Sequence, residues 1–358
     1  MLDALIPISE SVDLTIPSSL HKRIGIVGAG AIVELAHLPA YRKAGLPVVG
    51  ITDIDAARAE AIRAQFGLAR TYELEGMLSD PTIEVIDVAV VPEAQPDIVR
   101  RALRAGKHVL AQKPLAPTSE LGASLVADAR DMHRCLVVNH QMRYGEGIAV
   151  MSAVARSGWL GELTAVTFEV NINTDWSGWG WLLNSPQLDL MYHSIHYLDT
   201  VRSLLGNPTR IFCATGRRPG QRAAGETRTM TTMLFASGAR AQVNVNHENF
   251  SGDLEARLRL DGSEGSVRAT IGLLYNYPHG RPDTVEISSR IIPTDGWLAY
   301  PVTTRWIPDA FAGPMRALLS EIAEGTPAPT TASDALQTLR LVEACYRSAA
   351  TGEAQEIA

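Results

Sequence analysis

The sequence predicts two domains, a doubly wound parallel α/β domain followed by an α+β domain built on a large, mostly antiparallel sheet. The chain has 358 residues, and single domains commonly hold about 150. Up to about residue 144, apolar strands alternate with helical segments through short links, which is typical of a parallel sheet covered on both faces. After that point, short strand patterns separated by turn signals dominate. We therefore predict an N-terminal extension over 1–22, the α/β domain over 23–145 and the α+β domain over 146–358.

Hydrophobic periodicity places the individual elements. In the first domain the predicted strands are 23–30 with its glycine turn, 48–53, 84–91, 107–111 and 135–138, and the helices are 31–43, 55–66 and 97–105, with a further helix before residue 135. In the second domain a helix over 147–157 precedes strands at 163–173, 209–214, 229–235, 239–246 and 255–261. One long amphipathic helix, 188–205, interrupts that series. A last amphipathic helix, 333–348, has a packing partner that the sequence leaves open.

Composition excludes several classes of partner. Thirty-two basic and thirty-nine acidic residues give a formal net charge of −7, and without a long basic run a nucleic-acid or anionic-membrane surface is not expected. No apolar stretch approaches the roughly 18 residues of a membrane span, and the acidic first twenty residues lack the features of a signal peptide. Three scattered cysteines predict buried thiols in a reducing compartment. We expect a cytoplasmic protein that acts on a small molecule.

A glycine turn after the first predicted strand indicates a dinucleotide site. Gly28 and Gly30 open the first predicted helix, where small residues let backbone N–H groups approach a pyrophosphate at the positive helix end. Ala31 and Ile32 continue this turn and complete the candidate phosphate-binding residues. Val33 stands where the dinucleotide fingerprint has its third glycine. The turn alone therefore leaves open a tight strand–helix connection that binds no ligand.

An acidic residue after the second predicted strand favours NAD. Asp53 follows the glycine turn by about 20 residues, where a carboxylate can accept hydrogen bonds from ribose hydroxyls and would repel a 2′-phosphate. Arg58 is close enough in sequence to keep NADP as an alternative. Asp53 could instead cap the next helix, although Asp55 is the better candidate for that cap.

Three motifs together resemble one oxidoreductase family. They are the Gly28-Ala-Gly30 turn, the segment Ala105-Gly-Lys-His-Val-Leu-Ala-Gln-Lys-Pro-Leu-Ala116 and the segment Ser194-Ile-His-Tyr-Leu-Asp199. They resemble the family of glucose–fructose oxidoreductase, inositol dehydrogenase and MocA proteins, over about residues 23–352. The resemblance implies a Rossmann domain, an open-faced sheet domain, NAD or NADP, and oxidation of a sugar, polyol or similar alcohol. It also implies a homo-oligomer that associates through the open sheet.

The resemblance assigns a lysine to the chemistry. Lys113 matches the lysine of the family's Glu-Lys-Pro motif, and a cationic amine can hold the reacting hydroxyl oxygen or relay its proton. Gln112 replaces the family glutamate, which removes a charge beside Lys113 and can alter its pKa. Both residues are also candidate contacts of the cofactor. Gln95 stands where relatives often carry histidine and receives no role.

A second catalytic group is expected on the predicted helix 188–205. The family's Asp-x-Gly-x-His register here reads Tyr192-His-Ser-Ile-His196, so His196 matches the catalytic histidine and can take a proton near neutral pH. Tyr192 occupies the aspartate position, one turn away on a continuous helix. Its role is open because a phenol is a poor base at neutral pH. On such a helix His193, His196 and Asp199 would lie too far apart to bind one ion, so no metal ligand is predicted.

Aromatic residues ahead of that helix indicate a substrate site. Trp176, Trp179 and Trp181 are three of the six tryptophans, and indole faces stack well on the C–H face of a sugar. The alternative is an aromatic cluster that packs a loop or a subunit contact. The candidate substrate contacts are Trp176, Trp181, His193 and Arg143, the last of which follows the final strand of the first domain.

These residues predict an NAD(P)-dependent dehydrogenase that transfers hydride between a sugar or polyol hydroxyl carbon and nicotinamide. The alternative is a non-catalytic protein that senses a nucleotide or sugar on the same fold, because a fold does not determine function. The departures at Gln112 and Tyr192 leave room for that alternative.

Overall fold

The computed structural model describes residues 2–292 and 294–357, which form two compact units. We name each unit after its sheet. The parallel-sheet unit contains Leu14–Tyr144 and Ile307–Leu336, and the mixed-sheet unit contains residues 2–13, Gly145–Trp306 and residues 337–357. No helix in the described part of the chain is long and apolar enough to cross a membrane.

Six parallel strands form the sheet of the first unit. They are β1 (Ile24–Val27), β2 (Val48–Thr52), β3 (Arg70–Thr71), β4 (Val85–Val88), β5 (His108–Ala111) and β6 (Leu136–Val138). Their order is β3-β2-β1-β4-β5-β6, and every neighbouring pair is parallel. The predicted doubly wound sheet is thus confirmed. The chain reverses its direction of travel across the sheet between β1 and β4, and sheets of this kind bind ligands beyond the carboxyl ends of the strands at that point.

Helices connect these strands, and residues next to their ends explain where they begin and end. The helix Ala56–Phe66 begins at Asp55, whose carboxylate accepts the Arg58 N–H at 3.1 Å, and it ends at Gly67 with φ of 68°. The remaining helices of this unit are Leu38–Lys43, Leu74–Ser79, Gln95–Arg104, Ser119–Asp131 and Ala312–Glu324, with short 3₁₀ turns at Ser18–Leu20, Gln141–Tyr144 and Asp309–Phe311.

The predicted helix 31–43 is not uniform. Its first half is a π-helical turn over Val33–His37, and an α-helix follows over Leu38–Lys43. Val33 and His37 are fully buried, so the wider turn faces the core at both of its ends. Such turns recur at functional sites, and this one directly follows the glycine turn.

The second unit contains one large sheet. Its strands are β7 (Leu163–Asn171), β8 (Arg210–Gly216), β9 (Arg228–Leu234), β10 (Arg240–Asn246), β11 (Glu255–Gly262), β12 (Gly265–Thr270), β13 (Thr284–Ser289), β14 (Leu298–Tyr300) and β15 (Gln355–Glu356). The order is β14-β13-β12-β11-β7-β10-β9-β8-β15. Only β7 and β10 pair in parallel among the strands of this sheet in the described residues. The predicted large, mostly antiparallel sheet is therefore confirmed.

Alternating burial gives this sheet one apolar face. Along β7, Val166, Phe168 and Val170 are almost fully buried, and the Phe168 ring lies 4.9 Å from that of Tyr197 in the helix Ile195–Leu205. The other helices of this unit are Leu2–Ser11, Glu146–Arg156, Gly180–Leu183 and Asp189–Tyr192, and Ala332–Thr351 lies mostly within it. The opposite face of the sheet carries exposed side chains that include Phe212 and Met230.

The observed units differ from the predicted domains in two places. Residues 2–13 belong to the mixed-sheet unit, as a helix, and Ile307–Leu336 belongs to the parallel-sheet unit. The second difference has a local cause, because the Thr330 carbonyl accepts the Val138 N–H at 2.8 Å and extends the edge of β6. Strands β3, β12, β13, β14 and β15 were not predicted, and Cys135 is only half-buried.

Candidate functional site

The glycine turn of the parallel-sheet unit has a backbone that only glycine accommodates easily. Gly28 has φ of +109°, and a Cβ atom there would lie 2.2 Å from the Ala89 carbonyl oxygen. A Cβ on Gly30 would meet nothing within 4 Å, so open space lies beside the turn. A dinucleotide pyrophosphate needs such an open, close-approach backbone at the start of a helix. The residues present therefore fit the predicted cofactor.

Asp53 is tied to this turn rather than to the next helix. Its carboxylate accepts the Ala29 N–H at 2.6 Å and the Asp55 N–H at 2.9 Å, while Asp55 provides the helix cap. Arg58 donates to the Ala29 carbonyl at 2.8 Å and pairs with Glu34 at 2.8 Å. The Arg58 side chain, which kept NADP as an alternative, is thus already bound to other groups of the protein. Asp53 does not have the helix-capping role.

The backbone around Lys113 is held by a residue to which the sequence assigned no role. The buried Gln95 amide donates to the carbonyls of Gln112 and Pro114, both at 2.8 Å, and its oxygen accepts the Gln112 N–H at 2.9 Å. It also donates to the Leu115 carbonyl at 3.1 Å. Gln95 therefore fixes both sides of Lys113. Its position at the start of the helix Gln95–Arg104, ahead of the lysine motif, was the available signal.

Gln112 takes part in a second buried network. Its side-chain nitrogen lies 2.7 Å from His37 Nε2, and His37 Nδ1 lies 2.6 Å from the Asp87 carboxylate, which also accepts the Tyr41 hydroxyl at 2.8 Å. An imidazole that donates from Nδ1 to a carboxylate leaves Nε2 as an acceptor, and an amide N–H supplies its donor. A glutamate at 112 would instead present a second acceptor, so glutamine suits this network.

Lys113 itself has an altered basicity. Burial lowers the pKa of its amine from the usual 10.5 to about 8, because desolvation disfavours the charged form. Gln112, which carries no charge, adds no electrostatic contribution that would oppose this. Both the protonated and the neutral amine are accessible near physiological pH. Acid–base catalysis favours groups with this property.

In the mixed-sheet unit, the predicted helix 188–205 is two helices. They are Asp189–Tyr192 and Ile195–Leu205. The break has a visible cause, because the Ser194 N–H reaches back to the Asp189 carbonyl at 2.6 Å and the Ser194 hydroxyl donates to the Asp189 carboxylate at 2.7 Å. The prediction that Tyr192 and His196 share a face of one continuous helix is therefore wrong.

His196 and Asp199 lie on the second of these helices. His196 is 7% exposed and packs edge-on against the Trp306 ring at 5.3 Å. Asp199 is buried and accepts the Thr338 hydroxyl at 2.7 Å. This hydrogen bond is a structural contact within the mixed-sheet unit.

A buried cluster at the break was not foreseen. Asp189 is fully buried, and its Oδ1 lies 2.8 Å from His247 Nε2 and 3.4 Å from His193 Nδ1. Burial alone would raise the pKa of the Asp189 carboxyl, but the two imidazoles outweigh this effect and hold that pKa well below its usual range. His247 directly follows β10 and Asp189 opens a helix, so neither residue belongs to a recognisable local motif.

The tryptophan segment contains both packed and exposed side chains. Trp176 lies 4.9 Å from the His247 ring and Trp181, 40% exposed, meets the Tyr192 ring edge at 5.1 Å. Trp176, Trp179 and Tyr192 also pack against a small apolar cluster. Trp176 and His247 line a cavity of about 160 Å³ at the carboxyl ends of β7 and β10, together with Asp175, Gln221, Glu248 and Phe250.

Arg143 is engaged within the parallel-sheet unit. Its guanidinium donates to the Asp334 carboxylate at 2.6 Å and to the Pro329 carbonyl at 2.9 Å. It therefore anchors the segment that follows the helix Ala312–Glu324. The predicted contact of Arg143 with substrate stays a prediction.

The doubly wound sheet, its glycine turn and the adjoining carboxylate define a dinucleotide-binding protein of the Rossmann class. The description "Oxidoreductase family, NAD-binding Rossmann fold" matches residues 22–140, and "Oxidoreductase family, C-terminal alpha/beta domain" matches residues 156–357. The chain belongs to the Gfo/Idh/MocA oxidoreductase family, as its motifs indicated.

Named relatives span nearly the whole chain. The D-apiose dehydrogenase of Paraburkholderia graminis is 27% identical over 339 residues, which are 93% of this chain and 88% of that protein. The inositol 2-dehydrogenase of Rhizobium meliloti is 24% identical over 344 residues, 92% of this chain and 97% of that protein. A crystal structure of an Agrobacterium radiobacter oxidoreductase in complex with NAD⁺, L-tartaric acid and magnesium has a TM-score of 0.84 at 23% identity, covering 94% of this chain and 98% of that chain.

Proposed function

We propose that this protein is a dehydrogenase that transfers hydride between a CH–OH carbon of a sugar or polyol and a nicotinamide cofactor. The observation that carries the proposal is the Lys113 segment, in which a lysine with a pKa of about 8 is held on both sides by Gln95. Relatives named for D-apiose and inositol, a sugar and a polyol, support the substrate class.

The cofactor preference follows from the glycine turn. Gly28 and Gly30 leave room for a pyrophosphate, and the Asp53 carboxylate beside them would repel a 2′-phosphate. Arg58 is engaged with the turn and with Glu34, which supports NAD over NADP. When bound, NAD supplies the hydride acceptor.

Lys113 acts on the reacting hydroxyl. In the protonated state its amine donates to the hydroxyl oxygen and stabilises the negative charge that develops on it. In the neutral state the same amine accepts the hydroxyl proton. The lowered pKa serves both roles near neutral pH, and Gln95 positions the amine by fixing the backbone before and after it.

His196 is the second proton-transfer group that we propose, on the basis of its place in the family motif. Lys113 belongs to the parallel-sheet unit and His196 to the mixed-sheet unit, and the kinetics of their alanine variants test whether both take part in the reaction. Tyr192, which packs against Trp181, offers a hydroxyl rather than the carboxylate of relatives. We assign Tyr192 to substrate binding or to a relay through His196, and a phenylalanine variant separates the two roles.

The substrate contacts are proposed from the aromatic segment and its neighbours. Trp181 is 40% exposed, and an accessible indole can stack on sugar C–H groups. Trp176 borders a cavity with polar walls. His193 and Arg143 complete the proposed set of residues at the substrate.

Two wider properties belong to the same proposal. A cytoplasmic location agrees with the free thiols of Cys135, Cys213 and Cys345. A homo-oligomer that associates through the open sheet face is supported by Phe212 and Met230, which are 45% and 61% exposed on neighbouring strands. Light scattering of the wild type and of Met230→Glu tests the second property, since a charge on that face should favour the monomer.

A substrate screen tests the function. Aldoses and polyols are incubated with NAD or NADP, and nicotinamide absorbance is followed with wild-type protein and with Lys113→Ala. We expect turnover with at least one sugar or polyol, and a fall in kcat of at least about 10²-fold in the variant. Tight binding of nucleotide and sugar with no turnover by the wild type would instead establish the non-catalytic sensor. No contact among the described residues supports that alternative.

A further inference from the structure

Three potential metal ligands converge in the interior of the mixed-sheet unit. Asp189 Oδ1, His193 Nδ1 and His247 Nε2 all lie within 4.8 Å of one another. In a tetrahedral zinc site with bonds of about 2.1 Å, ligand atoms are about 3.4 Å apart. The separation between Asp189 and His193 is 3.4 Å, and that between Asp189 and His247 is 2.8 Å. The second pair would have to open by about 0.6 Å, from 2.8 Å to about 3.4 Å, to reach that spacing.

The outer contacts of these side chains resemble those of metal sites. Metal-binding imidazoles usually engage their second ring nitrogen with an oxygen, which fixes the ring. His247 Nδ1 lies 2.7 Å from the Thr174 hydroxyl, and His193 Nε2 lies 3.5 Å from the Tyr197 hydroxyl. The second oxygen of the Asp189 carboxylate accepts hydroxyl hydrogen bonds. Each proposed ligand is therefore held in its orientation by a contact with a hydroxyl group.

Charge balance also favours a cation at this place. Asp189 is fully buried, and Glu226, also buried, accepts the backbone N–H of Leu190, the residue that follows Asp189. Glu226 also accepts the Tyr346 hydroxyl, so hydrogen bonds stabilise this side chain. Buried carboxylates are costly unless they are paired or coordinate a metal. A divalent ion held by neutral imidazoles would balance both carboxylates.

We propose that Asp189, His193 and His247 form a zinc site in the mixed-sheet unit. Imidazole and carboxylate together suit zinc, and three protein ligands leave a fourth position for water or a hydroxyl oxygen. The sequence argument against a metal considered His193 with His196 and Asp199 on an unbroken helix. The break at Ser194 places His193 with a different pair of residues. This site goes beyond the proposed dehydrogenase activity, and its tests read out binding rather than turnover.

Metal binding is measured on protein produced without a polyhistidine tag. The protein is stripped with a chelator, dialysed against Zn²⁺ and analysed for bound metal, and a parallel sample is titrated with Co²⁺. We expect a single equivalent of zinc per chain and the intense visible d–d absorption of four-coordinate cobalt. Wild-type protein that takes up no stoichiometric zinc and shows no such absorption would overturn the proposal.

Variants locate the ion. Asp189→Asn and His247→Ala should abolish uptake, while His279→Ala, an exposed histidine of the same unit, is the matched control and should retain it. Thr174→Val keeps every ligand but removes the hydroxyl behind His247, and it should weaken zinc binding by about 10–100-fold. Because this variant leaves the buried carboxylate intact, it tests the site even if the ligand variants misfold. Unchanged affinity in Thr174→Val would count against the site, and unchanged uptake in folded ligand variants would refute it.

Discussion

Replacing Lys113 with methionine should stabilise the protein while it lowers kcat by at least about 10²-fold. Burial lowers the pKa of this amine from 10.5 to about 8, a difference that corresponds to about 3 kcal/mol at 1.36 kcal/mol per pKa unit. Below pH 8 the folded and the unfolded chain both carry the protonated amine, so the full cost of the buried charge is present. The Lys113 side chain keeps some exposure, so about 3 kcal/mol is an upper value.

The pH dependence has a defined sign. Between about pH 8 and pH 10.5 the unfolded chain binds more protons at residue 113 than the folded chain, so the free energy of unfolding contributed by Lys113 rises with pH. Methionine has no such titration. The stability gained by Lys113→Met should therefore approach about 3 kcal/mol at pH 7 and shrink by that amount towards pH 10.5.

Urea unfolding at pH 7 and pH 10, followed by circular dichroism without cofactor, measures this difference. Lys43→Met is the control, because Lys43 is exposed and pairs with Asp309 at the surface, and its loss should change stability by less than about 1 kcal/mol at either pH. Lys113→Met should also lower kcat by at least about 10²-fold. Equal pH slopes for wild type and Lys113→Met would refute the argument that burial sets the pKa of this lysine.

Three further substitutions test the rest of the proposed site. Asp53→Ser should shift the ratio of NAD to NADP affinity towards NADP, measured by direct titration; an unchanged ratio would leave Asp53 with only its bond to the glycine turn. Gln95→Leu keeps the buried volume but removes the hydrogen bonds to the Lys113 segment, so kcat should fall by about 10²-fold with NAD affinity retained. The limb of the kcat pH profile that reports the titration of Lys113 should also move, and an unmoved limb contradicts the positioning role of Gln95. His196→Ala should lower kcat by at least about 10²-fold and remove the limb of the pH profile near neutrality; wild-type rates in this variant would refute the assignment of His196. Tyr192→Phe separates a relay from substrate binding, because a loss equal to that of His196→Ala makes the tyrosine part of the relay.

The parts of the site that sequence analysis located are those with a local signature. The turn at Gly28 is visible because a strand, two glycines and a helix follow one another, and Asp53 stands at the end of the next strand. Asp55 could be identified as the cap because capping involves a side chain and the backbone three residues later. Each of these features depends on neighbours in sequence.

The parts that it missed depend on partners distant in sequence. Gln95 acts on carbonyls that lie 17 to 20 residues further along, and Asp189 meets His247 across 58 residues. The break at Ser194 was missed because the apolar periodicity of the segment continues on both sides of it. The break coincides with hydrogen bonds between Ser194 and Asp189 and with the distant contacts of the Asp189 carboxylate to Thr229 and His247.

Both units draw on the last part of the chain, and this has a consequence for synthesis on the ribosome. The apolar edge strand β6 lacks its neighbour until Thr330 and Thr331 have been made, and β8 lacks β15 until residue 355. Unpaired strand edges are templates for wrong pairing, and proteins of this size expose them during folding. In the nascent chain each of these edges therefore stays open until the later segment that pairs with it has been made.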